Sequence, residues 1–402
     1  MRRLFLTYVL ALLASVSMAQ VVEAGDAGAR VDGSGAVEVL PDSSNFVTAS
    51  ILISSPGKEL FFALGHCGLR LQCPSKGLDY CFSFSTIVPP GPEFNLLLLS
   101  GKMKAGYEAL PYDEYLDTFR KDGRGVVEYP LNLTLVEERE LWRKMDNLMM
   151  KGPTMKFDFI FNNCTGPLFR SVNAIMEGEH FEYPDVYPLT LNTREKLHLM
   201  TVNSPWLEFI TVIMVSDYAH RDMPLYAKMY PQVWAAVLPY GEIVGMDGAR
   251  RPGMSGEPVE LLPQTFFDKP AAVTPVMAFG VLLLVAVVLA FVPVSKVSKA
   301  VDTVLFCIHV LFSLYLLYVA CQQLYGLFWN WFLIVFNPIP LLWWICCRKK
   351  AYYRKGFLFF AVVIAGFMLF WSLYTGRMEW AHELMLAIFL VRCLAYGVRG
   401  QK

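Results

Sequence analysis

The fold turns on residues 59–86, ELFFALGHCGLRLQCPSKGLDYCFSFST. Its first half alternates. Cys67, Leu69 and Leu71 fall on one face, and His66, Gly68, Arg70 and Gln72 on the other. The PSKG at 74–77 is a turn, and 78–86 reads as the returning strand of a β-hairpin. Closing the hairpin there sets His66 opposite Ser85, with Ser83 diagonal on the same face. Asp79 falls toward the turn, away from His66.

Outward from the hairpin the pattern stays mixed. FVTASILIS (46–54) is a strand. PYDEYLDTFRKDG (111–123) and TLVEERELWRKMDNLMMKG (134–152) are amphipathic helices, the second opening on a capping box of Thr134 and Glu137. TMKFDFIF (154–161) is extended, and PLFRSVNAIM (167–176) is a helix with Pro167 at its first position. Residues 46–240 therefore predict one α+β domain, long enough for a sizeable core. Residues 20–45, rich in Gly, Ala, Asp and Ser, predict a disordered lead-in. The Gly- and Pro-rich stretch 241–272 predicts a tether.

Apolar residues make up 55% of the 402, and they are unevenly spread. Residues 1–19 have the form of a secretory signal peptide: Arg2 and Arg3, an apolar run from Leu4 to Val16, and Ser17-Met18-Ala19 as the cleavage site. Near the C-terminus, 275–292, 303–321, 327–345, 357–374 and 384–398 predict an all-α membrane domain (273–398) of about five transmembrane helices. The last is short and carries Arg392, which could snorkel or lie in the interface. Basic residues collect in the linker with Lys296 and Lys299, in RKKAYYRK (348–355), and in the tail with Arg399 and Lys402. Five spans place all of these in the cytoplasm and the α+β domain outside, so the positive-inside rule and the signal peptide agree. The expected address is a bacterial inner membrane, with a periplasmic N-terminal domain and a cytoplasmic C-terminus. The 35 basic residues balance 35 acidic ones, so charge gives no case for nucleic acid.

The chemistry centres on FIFNNCTGPLF (159–169). A cysteine just ahead of a helix start meets unpaired N–H groups and the positive end of the helix dipole, which favour thiolate. Such a nucleophile needs a base. Of the exported histidines, His180 and His220 read as solvated loop residues and His198 as part of a helix face. His66 lies inside an apolar strand, where a polar side chain needs a partner. Two readings of it stand: base to Cys164, or a hydrogen-bonded core histidine. Ser83 is the nearest candidate for an orienting third group. Cys67, Cys73, Cys81 and Cys164 make an even count, and a disulfide through Cys164 would end the enzyme reading. NLT (132–134) and NCT (163–165) fit the glycosylation sequon. No Gly-rich phosphate loop, metal-spaced Cys/His cluster or G-x-S-x-G is present, so no cofactor or metal is expected. His309, Asn330, Asn337 and Pro338 lie within the apolar segments, as helix–helix hydrogen-bonding groups or as the lining of a path.

Taken in order, these blocks resemble the Lnb N-terminal periplasmic domain family. GHCGLR (65–70), followed by a turn and LDYCFSF, is similar to that family's G-H-[TS]-A-[LI]-R, G-I-D and Y-N-Y-G. GRGVVEYPLNLT (123–134) matches a later block, and FDFIFNNCTGPLFR (157–170) resembles Y-D-F-x-x-D-N-C-[SA]-T-[RK]. SPWLEF and DMPLYAKMYPQVWAAVL fit the next, and NWFLIVFNPIPLLW (330–343) resembles the N-x-N-L-L-x-x-N-P of relatives with about five membrane spans. The family's order of strand histidine then helix-start cysteine is similar to that of circularly permuted papain-like, NlpC-type hydrolases.

The resemblance implies a permuted papain-like fold, His66 as base and Cys164 as nucleophile, with Arg70, Arg124 and Asn163 as supporting, substrate-binding positions. The sequence departs from the pattern at Asn162, at Gly166-Pro167, and at Ser83 and Ser85. Two functions follow. One is a thiol hydrolase or acyltransferase on an amide or ester, with N–H groups at 164–166 for the oxyanion and a lipid-linked, cell-wall or lipoprotein substrate at the bilayer. The other is a non-catalytic domain that binds a partner or assists maturation of an exported enzyme. Transport along the polar groups of the apolar segments is a third reading.

Overall fold

The computed structural model describes residues 47–57, 62–89, 91–152, 155–158, 160–216, 223–267, 269, 271–292, 296–321, 330–346, 350–375 and 379–399. The signal peptide, the lead-in and His220 lie outside these residues.

The hairpin forms as its alternation requires. Strands β1 (Thr48–Ser54), β2 (His66–Cys73) and β3 (Leu78–Thr86) are consecutive neighbours. Cys73 pairs with Leu78 and Gly68 with Ser83, so the turn sits where the PSKG placed it. A 3₁₀ turn at Pro74–Lys76 closes it, and Gly77 supplies the left-handed residue at φ 64°. With β4 (Lys104–Pro111), β5 (Val126–Pro130), β6 (Met155–Lys156) and β10 (Val259–Leu262), they make a seven-stranded antiparallel sheet in the order β10-β5-β1-β2-β3-β4-β6.

Between these strands run α1 (Pro92–Leu99), α2 (Tyr112–Lys121) and α3 (Leu135–Met150); α4 (Gly166–Asn173) follows β6. Further on come α5 (Thr193–Thr201), α6 (Pro205–Val215), α7 (Leu225–Lys228) and α8 (Pro231–Val237). One sheet face carries Ile51, Cys67, Leu69 and Phe82, which pack on Leu141 of α3, Leu168 and Phe169 of α4 and Trp234 of α8. Burying each such side chain stabilises the domain by about 1.5–3 kcal/mol. The opposite face carries Leu52, Cys81 and Val126 under Tyr115, Leu116 and Phe119 of α2. The capping box is present: Thr134 Oγ1 accepts from Glu137 N–H, and the Glu137 carboxylate accepts from Thr134 N–H.

The tether expected at 241–272 is a correction. Strand β8 (Glu242–Gly245) joins β7 (Glu179–Glu182) and β9 (Arg250–Pro252) in a second sheet, while β10 returns to the edge of the first beside β5. Strands β8 and β9 form a local hairpin around Asp247-Gly248, whereas β7 and β5, the other partners of β8 and β10, lie far upstream.

The C-terminal region is helical: α9 (Pro275–Phe291), α10 (Lys296–Cys321), α11 (Ile339–Cys346), α12 (Lys350–Thr375) and α13 (Trp380–Arg399). Among the described residues, α10, α12 and α13 are long and apolar enough to cross a membrane. Helix α9 has 17 residues, the lower limit of the span length. The span expected at 327–345 is not one helix. A 3₁₀ turn occupies Trp331–Ile334, and α11 starts only after Asn337-Pro338, where Asn337 Oδ1 accepts from Ile339 N–H. Pro338 has no N–H to continue a helix through this point. Arg392 points inward instead of snorkelling: Nε and Nη2 bond Asp302 of α10 at 2.7 and 2.8 Å, and Nη2 also bonds Ser298.

Candidate functional site

His66 opens β2, and Cys164 stands two residues before α4. The two side chains line one cavity of about 30 Å³, together with Leu64, Gly65, Phe157, Asn163, Tyr230 and Pro231. The strand end and the helix start meet because α4 packs its apolar face on β2 through Leu168 and Cys67. The main-chain N–H of Cys67 is directed at Cys164 Sγ. Two glycines allow close packing around the start of β2. Gly65 sits at φ 80°, and a Cβ there would lie 2.7 Å from Ser54 O and 2.9 Å from Gln232 Nε2. A Cβ at Gly68 would collide with the Tyr115 hydroxyl.

The pair is neutral. Burial, reinforced by the Arg124 charge, holds the His66 imidazole down at about 3. Burial pushes the Cys164 thiol up, against weaker opposing pulls from the Thr165 hydroxyl, the N–H groups of Cys67 and Cys164, and Arg124. The resting state at neutral pH is thus thiol and imidazole, not the thiolate expected from a helix start. Burial is the main cause. In addition, Asn163 Oδ1 accepts from the N–H groups of both Thr165 and Gly166 at 2.9 Å. These are the groups that the helix start would have offered the sulfur or an oxyanion. Asn163 thus closes the turn ahead of α4 with its side chain and also lines the cavity.

Arg124 is buried beside the pair. Its Nε donates to Ser55 O at 2.9 Å and its Nη2 to Ser54 Oγ at 2.7 Å, and the guanidinium stacks between Phe62 and Phe119. Its Nη1 makes no hydrogen bond among the described residues.

Other expected positions lie elsewhere. Ser83 donates to Glu108 Oε1 at 2.9 Å, and no hydrogen bond joins it to His66 among the described residues. Among the described residues no third group bonds the imidazole; it lies against Phe119, ring centres 6.2 Å apart. Arg70 is about 13 Å further along β2, four residues at ~3.3 Å each. There it holds Asp79 at 2.6 Å and Glu128 at 3.2 Å and stacks on Tyr112. It borders a separate cavity of about 430 Å³ with Gln72, Glu128 and Glu138. Cys67, Cys73, Cys81 and Cys164 are all free thiols. His180 is exposed, and His198 bonds Glu208 at 2.7 Å.

Sequence reasoning missed Tyr230 and Pro231, which come to the cavity from the start of α8. It also missed Gln232, which donates to Ser54 O at 3.1 Å. Nothing local to PQVWAAVL signals a site; only the tertiary fold brings it there.

An antiparallel sheet with a cysteine at a helix start beside a strand histidine defines the N-terminal part as an α+β domain with a thiol–imidazole site. Residues 42–197 match the family model of the Lnb N-terminal periplasmic domain. Neither the curated proteins nor the solved structures gave a match.

Proposed function

We propose that the chain is a membrane-anchored periplasmic thiol acyl-transfer enzyme, a hydrolase or acyltransferase on an amide or ester of the cell envelope. The observation that carries this is the cavity shared by Cys164 and His66. Because both groups rest neutral, the proton must move as the sulfur attacks, not before. The Cys164 sulfur bonds the carbonyl carbon while its proton passes to His66. The carbonyl oxygen takes the negative charge, and Arg124, whose Nη1 makes no hydrogen bond among the described residues, is a cation beside it. Collapse of the tetrahedral intermediate breaks the bond to the leaving group, which takes the proton from His66. Water or an acceptor nucleophile then releases the acyl-thioester.

The fold this reading implies is the permuted papain-like one, a sheet with the nucleophile at a helix start. The address it implies is an inner membrane: a cleaved leader at 1–19, five crossings between 275 and 398, and every basic loop in the cytoplasm. A substrate with a lipid, cell-wall or lipoprotein attachment suits a site held near the bilayer.

A second reading is favoured by one observation. A cavity of about 30 Å³ holds about one water, so an acyl group enters only if Leu64 or Pro231 moves. A non-catalytic binding domain needs no such movement. Incubating the full-length protein with p-nitrophenyl butyrate and measuring intact mass separates the two. The enzyme reading expects a hydroxylamine-sensitive butyryl adduct on Cys164, lost in Cys164→Ser. No adduct on Cys164 selects the binding reading.

A further inference from the structure

Helix α6, PWLEFITVIMV, is the most apolar helix of the N-terminal part, and at 11 residues it is too short to span a bilayer. Its buried face belongs to the core of the membrane helices. Phe209 and Ile213 pack with Leu316 of α10, Trp371 of α12 and Leu386 of α13. The Phe209 ring also lies 5.1 Å from that of Phe279 in α9. Each of these partners stands four to six positions inside the outer end of its helix, a depth of about 6–9 Å at 1.5 Å per residue.

The ends of α6 are closed by protein. Asn330 Nδ2 donates to Ile213 O at 2.8 Å. Trp331 N–H donates to the hydroxyl of Ser216, a buried residue held at φ 48°. His382 Nε2 lies 3.1 Å from Phe209 O, and Trp206 Nε1 donates to Val273 O at 2.7 Å. Polar backbone groups must be satisfied in this way where water is scarce. The outward face is apolar: Ile210 is 52% exposed, with Trp206 beside it. The helix's one charge, Glu208, is paired with His198 on the α5 side.

We propose that α6 lies within the outer leaflet, in the plane of the headgroup–acyl boundary, with Trp206 and Ile210 facing lipid. The occupant of its open face is the bilayer, because that face continues the lipid-facing surface of α9, where Val281 and Leu284 are exposed. An apolar helix with a tryptophan at its rim suits that depth. The periplasmic domain is then embedded, not tethered. Val215, the last residue of α6, packs with Ile160 just upstream of Cys164 and with Val319 of α10, which fixes the height of the site. This inference does not depend on the thiol chemistry.

The test places a benzophenone amino acid at Ile210, Val281 or Met150 of the full-length protein in phosphatidylethanolamine–phosphatidylglycerol vesicles. Met150 is 87% exposed at the far end of α3 and serves as the water-facing reference. After illumination, lipid adducts are read by mass. An adduct yield at 210 within about threefold of that at 281, and at least about tenfold above that at 150, is expected. A yield at 210 equal to that at 150, or a crosslink at 210 to protein alone, overturns the proposal.

Discussion

Asn163 Oδ1 accepts the main-chain N–H of Gly166 at 2.9 Å, and through this bond a side chain replaces the anion that a helix start would otherwise attract. The same oxygen takes the N–H of Thr165, so the start of α4 is closed to an oxyanion. Asn163→Ala removes both bonds and is expected to cost about 1 kcal/mol. The Tm should fall by roughly 2–4 °C in thermal unfolding, while butyryl transfer to Cys164 continues. Loss of transfer at unchanged Tm would show that Asn163 touches the substrate.

Arg124 acts on both members of the pair in the same direction. Its charge lowers the imidazole's pKa and also lowers the thiol's. Arg124→Gln should therefore raise both: His66 upward from about 3 by NMR titration, and the Cys164 alkylation midpoint further upward. If Nη1 meets the oxyanion, acylation falls by about 10²-fold or more, the loss typical of a missing oxyanion donor. Acylation within a few-fold of wild type would remove Arg124 from that role.

Two groups make stability depend on pH, with opposite signs. His66 titrates near 6.5 when unfolded and at about 3 when folded, so the native state takes up fewer protons in that window. The stability is present above 6.5 and is lost as pH falls toward 3. Glu138 behaves inversely. Burial first, and Glu137 second, push it from 4.5 up to about 7, so its contribution is present below 4.5 and lost as pH rises through 7. Glu138→Gln should flatten the decline in Tm between pH 4.5 and 7, and His66→Gln the decline below 6.5. Unchanged profiles in either variant would contradict the corresponding shift.

Much of the sheet was legible because alternation and turn chemistry are local. The hairpin register, the Thr134–Glu137 box and the proline-started helix after Cys164 all follow from neighbours in sequence. Cys164 and His66, far apart in the sequence, line one cavity. What was not legible depends on distant partners. β10 forms only because β5 offers an edge, and Gln232 reaches Ser54 only in the folded state. The break at Asn337-Pro338 was visible as residues, yet apolar length alone favoured one span. The protonation state was misread for a related reason. A helix start promises a thiolate, but burial removes that promise, and burial of this kind does not show in a sequence window.

The central claim is that His66 takes the Cys164 proton during attack, not at rest. The direct measurement is the pH profile of Cys164 alkylation by iodoacetamide alongside butyryl transfer from the nitrophenyl ester, in wild type and His66→Ala. The account predicts an alkylation midpoint above 9 in both proteins, and acylation slower by about 10²-fold or more in the variant alone. A wild-type midpoint below about 8 that rises in the variant would mean a preformed ion pair, and equal acylation in the two would mean that His66 is no base at all.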